Sequence, residues 1–131
     1  MEPAHKHLHS ALIVIVDDDT SVRRATRRLL RSVGLRAETF ASAEEFLNSG
    51  RAESSSCLIL DLRMPGMNGL QLQRHLADVG NPIPIIFLSA HSTPDDERQA
   101  LQTGAVQFLG KPVRKELLLS AIHQALDAPA D

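Results

Sequence analysis

The sequence predicts an α/β protein: a doubly wound, five-stranded parallel sheet with five helices. Three observations carry this. Short apolar runs rich in β-branched residues recur along the chain, each followed by a stretch with apolar residues at helical spacing. Several of these runs are apolar at every position, the pattern of a strand covered on both faces. The intervening stretches open on capping residues and close on glycine. Strands alternating with helices pair in parallel through right-handed crossovers, which leaves helices on both faces. A chain of 131 residues is long enough for one such domain and its core.

The elements follow in order. "ALIVIV" (residues 11–16) is the first strand, and Val22, Leu29, Leu30 and Val33 mark the first helix, stopped by Gly34. "LRAETF" is a more polar second strand, suited to a sheet edge. Ser42 and Glu45 form a capping box for a short helix ending near Gly50. "SCLILD" is the third strand, ending on Asp61, and Leu72, Leu76 and Val79 give the third helix, closed by "GNP". "PIIFLS" is the fourth strand. "STPDDE" opens the fourth helix with a hydroxyl cap, an early Pro94 and acids in its first turn, and Gly104 ends it. "AVQFLG" is the fifth strand, and Leu118, Ile122 and Leu126 mark the fifth helix. Residues 1–10 read as a flexible arm, 11–126 as the domain, and 127–131 as a frayed end or the start of a linker. His5, His7 and His9 would share one side of an extended arm and so could bind a metal, but a solvated tail is the better reading.

Composition excludes several classes. A net charge of −2 gives no reason to expect direct nucleic-acid contact. The longest wholly apolar run, Ala11 to Val16, is too short to span a bilayer. The opening "MEPAHKHLHS" lacks an apolar signal region, so a cytoplasmic product with no membrane contact is expected. A lone Cys57 inside an apolar run reads as a buried, inert thiol.

In a doubly wound sheet, ligands sit beyond the carboxyl ends of the strands. Asp17, Asp18 and Asp19 follow strand one, Asp61 ends strand three, Ser89 ends strand four and Lys111 follows strand five. Taken singly, each has an ordinary explanation as a turn residue, a helix cap or a solvated acid. Together they fall on one rim. Separated acids in a partly desolvated cleft repel, and stay ionised together only if a cation joins them. Lys111 supplies one charge and a divalent metal the second. Oxygen-only ligands favour Mg²⁺, which commonly takes one or two carboxylates and a phosphate. A carboxylate beside a metal, an ammonium and a hydroxyl can attack phosphorus, which makes Asp61 the candidate nucleophile and an aspartyl phosphate its product.

These pieces carry a resemblance. "VDDD" after strand one, "LDLRMPGMNG" after strand three, "LSAH" at strand four and "FLGKP" at strand five, in that order, are similar to a CheY-like response regulator receiver domain. "DLRMPGMNG" and "GAVQFLGKP" further resemble the FixJ-like branch, whose members usually carry a helix-turn-helix output domain. The resemblance implies the flavodoxin/CheY-like strand order 2-1-3-4-5. It implies a two-component phosphorelay in which Asp61 takes phosphate from a phosphohistidine of a sensor histidine kinase or phosphotransfer protein. Asp18, Asp61 and the backbone carbonyl of Arg63 would hold Mg²⁺, with Mn²⁺ able to substitute, and Asp17 would act through water. Ser89 and Lys111 would contact the phosphoryl oxygens. Phe108 occupies the switch position, turning inward as Ser89 moves and altering the face of helix four, strand five and helix five, through which a phosphorylation-dependent homodimer would form. The domain would not be an enzyme acting on a separate substrate; it would catalyse its own phosphotransfer and slow autodephosphorylation, and would control an output, transcription in the sense that its branch does. The Lys111–Pro112 bond is expected to be cis. Two departures stand out: Val113 where the family commonly has Phe, and Phe108 in place of Tyr.

The five arginines of helix one (Arg23, Arg24, Arg27, Arg28, Arg31) suit an acidic partner or simply a solvated face. Two rivals share parts of the pattern. "DDDTS" lies within one residue of the haloacid-dehalogenase phosphatase signature, with Asp17 as nucleophile and Asp19 as general acid, but the late acidic pair of that class is replaced by "GKP". A pseudo-receiver that never takes phosphate would not need the full set of acids with Ser89 and Lys111.

Overall fold

A computed structural model describes residues 11–127; the proposed arm, with His5, His7 and His9, and the last four residues lie outside the described residues. Five strands and five helices alternate. The strands are β1 (Leu12–Val16), β2 (Arg36–Phe40), β3 (Cys57–Leu60), β4 (Ile85–Ser89) and β5 (Gln107–Gly110). The helices are α1 (Thr20–Ser32), α2 (Ala43–Asn48), α3 (Gly69–Asp78), α4 (Pro94–Gln102) and α5 (Lys115–Asp127). All pairings are parallel, in the order β2-β1-β3-β4-β5, so the polar "RAETF" strand is an edge as its composition requires.

Period two in the strands divides the core. Ile13, Ile15, Ile59, Ile86 and Leu88 pack with Leu30 of α1 and with Leu118 and Ile122 of α5. Leu12, Val14, Leu58, Leu60 and Phe87 face the other way, against Phe46 of α2, Leu72 and Leu76 of α3 and Ala100 of α4. Cys57 is fully buried, and burial pushes its thiol up to about 12, which keeps it protonated and inert. Among the described residues no helix is long and apolar enough to cross a membrane.

Local chemistry sets the helix ends. Asp19 caps α1, accepting from the Ser21 and Val22 N–H groups. Thr93 and Asp96 form a capping box with Pro94 at the start of α4, and Asn68 and Gln71 form another at α3. Ser42 caps α2 as expected, but Glu45 reaches back to the Ala41 N–H, one residue beyond the cap it was expected to serve. Val33 and Val79 were expected on the apolar stripes of α1 and α3. Both occupy C-cap positions, where the backbone leaves the helix, and both are exposed. Thr26, invisible to an apolar count, is buried on α1 instead.

Candidate functional site

The parallel ladder sets the rim residue by residue. The Asp17 N–H donates to the Phe40 carbonyl, the Asp61 N–H to the Val16 carbonyl at 2.9 Å, and the Lys111 N–H to the Ser89 carbonyl at 2.9 Å. Asp17, Asp61 and Lys111 are thus held by the strand beside each of them. Asp17, Asp61 and Ser89 are buried, and Asp18 is exposed.

Carboxylate oxygens of Asp17, Asp18 and Asp61 all lie within 4.8 Å of one another. Lys111 Nζ stands 2.8 Å from Asp17 Oδ2 and 3.5 Å from Asp61 Oδ1. Burial first, and then the neighbouring Asp17 and Asp18, push the Asp61 carboxyl up to about 6, although Lys111 pulls the other way. Burial alone would lower the Lys111 ammonium; its hydrogen bond to Asp17 and the charges of Asp17 and Asp61 outweigh that and hold it above its ordinary value. One ammonium is therefore too little positive charge for this set of acids. The converging side-chain donors are all oxygens, the donor type that suits a hard divalent cation such as Mg²⁺.

The other expected residues are found as follows. Asp19 is outside the carboxylate cluster and serves the α1 cap, so the phosphatase reading loses its general acid. Ser89 is paired with Gly110, and its hydroxyl donates weakly to the His91 carbonyl at 3.4 Å. Phe108 is half-buried and stacked on Phe87, with ring centroids 5.5 Å apart. The Lys111–Pro112 bond is cis. The α1 arginines line a groove of about 710 Å³, and Arg23 donates to the Asp17 carbonyl at 2.7 Å.

Several residues around the site escaped the sequence reading. The Arg63 side chain bridges loops, donating to Asp96 Oδ2 at 2.7 Å and to the His91 carbonyl at 3.3 Å. Glu44 accepts from the Met67 N–H at 2.9 Å. Gly69 lies so close to the Asp61 carbonyl that a Cβ there would stand 2.4 Å from its oxygen. No local sequence signal points to these contacts, since each joins segments far apart in the chain or depends on backbone approach.

Comparison with known proteins agrees with this geometry. The response regulator receiver domain family matches residues 13–123. The response regulator protein TmoT of Ectopseudomonas mendocina is 48% identical over 122 residues, 93% of this chain and 56% of that protein. The chain thus spans little more than half the length of that curated relative. Among solved structures, the response regulator StyR superposes with a TM-score of 0.83 at 45% identity, covering 89% of this chain and 59% of that one. The crystal structure of FIXJ-N gives a TM-score of 0.82 at 32% identity, covering 92% and 97%. With an all-parallel β2-β1-β3-β4-β5 sheet, an acidic cluster at its carboxyl rim and a family match over most of its length, the chain belongs to the response regulator receiver domain family.

Proposed function

We infer that this domain receives phosphate on Asp61 in a Mg²⁺-dependent reaction and relays that state to an output. The observation that carries the reading is the convergence of Asp17, Asp18 and Asp61 with Lys111 on one rim. Asp18, Asp61 and the Arg63 carbonyl would hold the metal directly, Asp17 through water, and the bound ion would neutralise charge on the transferring oxygens. Lys111 and Ser89 would contact the phosphoryl oxygens. An Asp61 oxygen attacks phosphorus, a P–O bond forms, and the P–N bond of the donor phosphohistidine breaks, the electron pair returning to the imidazole. Hydrolysis of the acyl phosphate then returns the carboxylate, so the domain turns over its own modification and no separate substrate.

The donor is a sensor histidine kinase or a phosphotransfer protein, and the setting is the cytoplasm. Phosphate would draw Ser89 inward and let Phe108 rotate, remodelling the face of α4, β5 and α5 for a partner or a second copy. The similarity to the transcriptional regulatory proteins TdiR of Thauera aromatica and FixJ of Bradyrhizobium diazoefficiens, of whose length the chain spans about half, supports an output in transcription through a further domain of the whole protein. The experiment is incubation with a small phosphodonor or beryllofluoride, read by intact mass with and without chelator, in the parent and in Asp61→Asn. One phosphoryl adduct on the parent is expected, dependent on Mg²⁺ and missing from Asp61→Asn; an adduct that survives either treatment overturns the assignment.

A further inference from the structure

The loop from Leu62 to Asn68 follows Asp61 and includes Arg63, whose carbonyl is read above as a metal ligand, and its hold on the rest of the molecule is uneven. At its far end the Gly69 N–H donates to the Leu62 carbonyl at 2.9 Å, and the lack of a Cβ on Gly69 lets the backbone close against the Asp61 carbonyl. Met64 is buried beneath the loop. Its outer turn, Pro65 to Met67, reaches one further anchor, Glu44.

Glu44 comes from a well-fixed element. It stands in the first turn of α2, between Ala43 and Phe46, both wholly buried. From there its Oε2 accepts the Met67 N–H at 2.9 Å. Gly66 turns with φ of +74°, and a Cβ on it would lie 2.7 Å from the same oxygen. The turn is thus shaped around this carboxylate. The Met67 bond also holds the Glu44 carboxyl below its ordinary value, so it is ionised at neutral pH and the bond is charge-assisted. Its neighbour Glu45 provides a contrast: it accepts from the Ala41 N–H at 2.7 Å, within the start of α2.

We propose that Glu44 is a positioning residue for the carboxylate site, clamping the 62–68 loop so that the Arg63 carbonyl keeps its place beside Asp61. The proposal rests on the reading of Arg63 and Asp61 as metal ligands. Glu44 itself touches neither the ion nor phosphate; it acts through the Met67 N–H. Loss of the clamp would free the outer turn and weaken metal binding without removing any ligand.

The test compares the parent with Glu44→Ala, Glu44→Gln and Glu45→Ala. Mg²⁺ affinity is measured by calorimetry, amide hydrogen exchange over residues 62–68 by mass spectrometry, and thermal stability alongside. Glu44→Ala is expected to bind Mg²⁺ about tenfold more weakly, the low end of the range for outer partners of a metal site, and to speed exchange across the loop. Glu44→Gln should fall between, because its amide oxygen still accepts from Met67. Glu45→Ala, which loses an equivalent first-turn acid, should keep the parent's Mg²⁺ affinity and loop exchange even if α2 is less stable. The proposal is overturned if Glu44→Ala binds Mg²⁺ as the parent does, or if Glu45→Ala weakens it equally. A parent that binds no Mg²⁺ overturns the metal reading itself, and unchanged loop exchange in Glu44→Ala then overturns the clamp independently.

Discussion

Lys111 leans toward Asp17: the ammonium is 2.8 Å from an Asp17 oxygen and 3.5 Å from the nearest Asp61 oxygen. The base of the site is thus closed by a Lys–Asp pair, and the acid at the end of β3 is left incompletely neutralised. Its carboxyl, raised from an ordinary 3.8 to about 6, records that shortage.

The first prediction follows from the sign of that shift. Asp61 binds a proton more tightly in the folded chain than in the unfolded one. Between about pH 4 and 6 the folded state therefore carries more protons, and this group's contribution to stability falls as pH rises through that window. Without metal, the ionised Asp61 destabilises the fold fully above about pH 6 and not at all below about 3.8. In chelator at about pH 7.5, Asp61→Asn should be more stable than the parent by on the order of 1–2 kcal/mol, less than the full shift implies because the exposed Asp18 leaves the cleft open to water. The difference should shrink steadily as pH is lowered from 6 toward 4. Urea unfolding across this range measures it, and an Asp61→Asn variant that is the less stable at neutral pH contradicts the argument.

Asp18 and Asp19 are neighbours with separable roles. Asp18→Ala should weaken Mg²⁺ binding, since Asp18 belongs to the carboxylate cluster. Asp19→Ala should leave that affinity near the parent's while costing about 1 kcal/mol of stability, because Asp19 caps α1. Calorimetry and thermal unfolding on both variants check this; equal losses of Mg²⁺ affinity would mean the two acids act together.

How much of this was legible in the sequence depends on the kind of contact. Asp17, Asp61, Ser89 and Lys111 could be placed on one rim because each ends or follows an apolar run, and parallel strands bring such positions together. Asp19 was legible as a cap from its place before a helix. The pairing of Glu44 with Met67 spans 23 residues and that of Arg63 with Asp96 spans 33, and both depend on where side chains reach after the elements pack. Val33 and Val79 misled for a related reason: helical spacing continues in the sequence past the point where the backbone stops being helical.

Two glycines near the site should respond oppositely to alanine. At Gly69 a Cβ would stand 2.4 Å from the Asp61 carbonyl oxygen and 3.0 Å from Leu62 Cα, both backbone atoms that cannot swing aside. Gly69→Ala should cost about 1–3 kcal/mol and weaken Mg²⁺ binding by displacing the strand end. Gly110 has open space where its Cβ would be and no left-handed φ, so Gly110→Ala should leave both quantities near the parent's. Chemical denaturation of the two variants decides; a tolerant Gly69 would mean the loop relaxes freely.

Ser89 and Phe108 carry the last prediction. The Ser89 hydroxyl holds a long bond to the His91 carbonyl, and Phe108 is half-buried beside Phe87. Burying a Phe completely is worth roughly 1.5–3 kcal/mol, comparable with the few kcal/mol that separate two such states. Ser89→Ala should still accept phosphate on Asp61 but lose the accompanying change at α4. Amide exchange over residues 91–112, with and without beryllofluoride, reads it; a variant that responds like the parent removes this hydroxyl from the switch.

The sheet keeps its two apolar halves apart, and that has a consequence for how the protein is handled by others. Ile13, Ile86 and Leu88 belong to the half under α1 and α5, while Val14, Phe87 and the ring of Phe108 belong to the half under α2, α3 and α4. Ser89 follows Ile85 and Phe87 by the period of the strand and so opens on that second half. Ser89 and the Phe87–Phe108 ring pair therefore lie toward α4, while α1 with its arginine row packs on the other face of the sheet. A protein that gripped α1 would reach the carboxylate rim from behind, through Arg23 and the Asp17 carbonyl it holds.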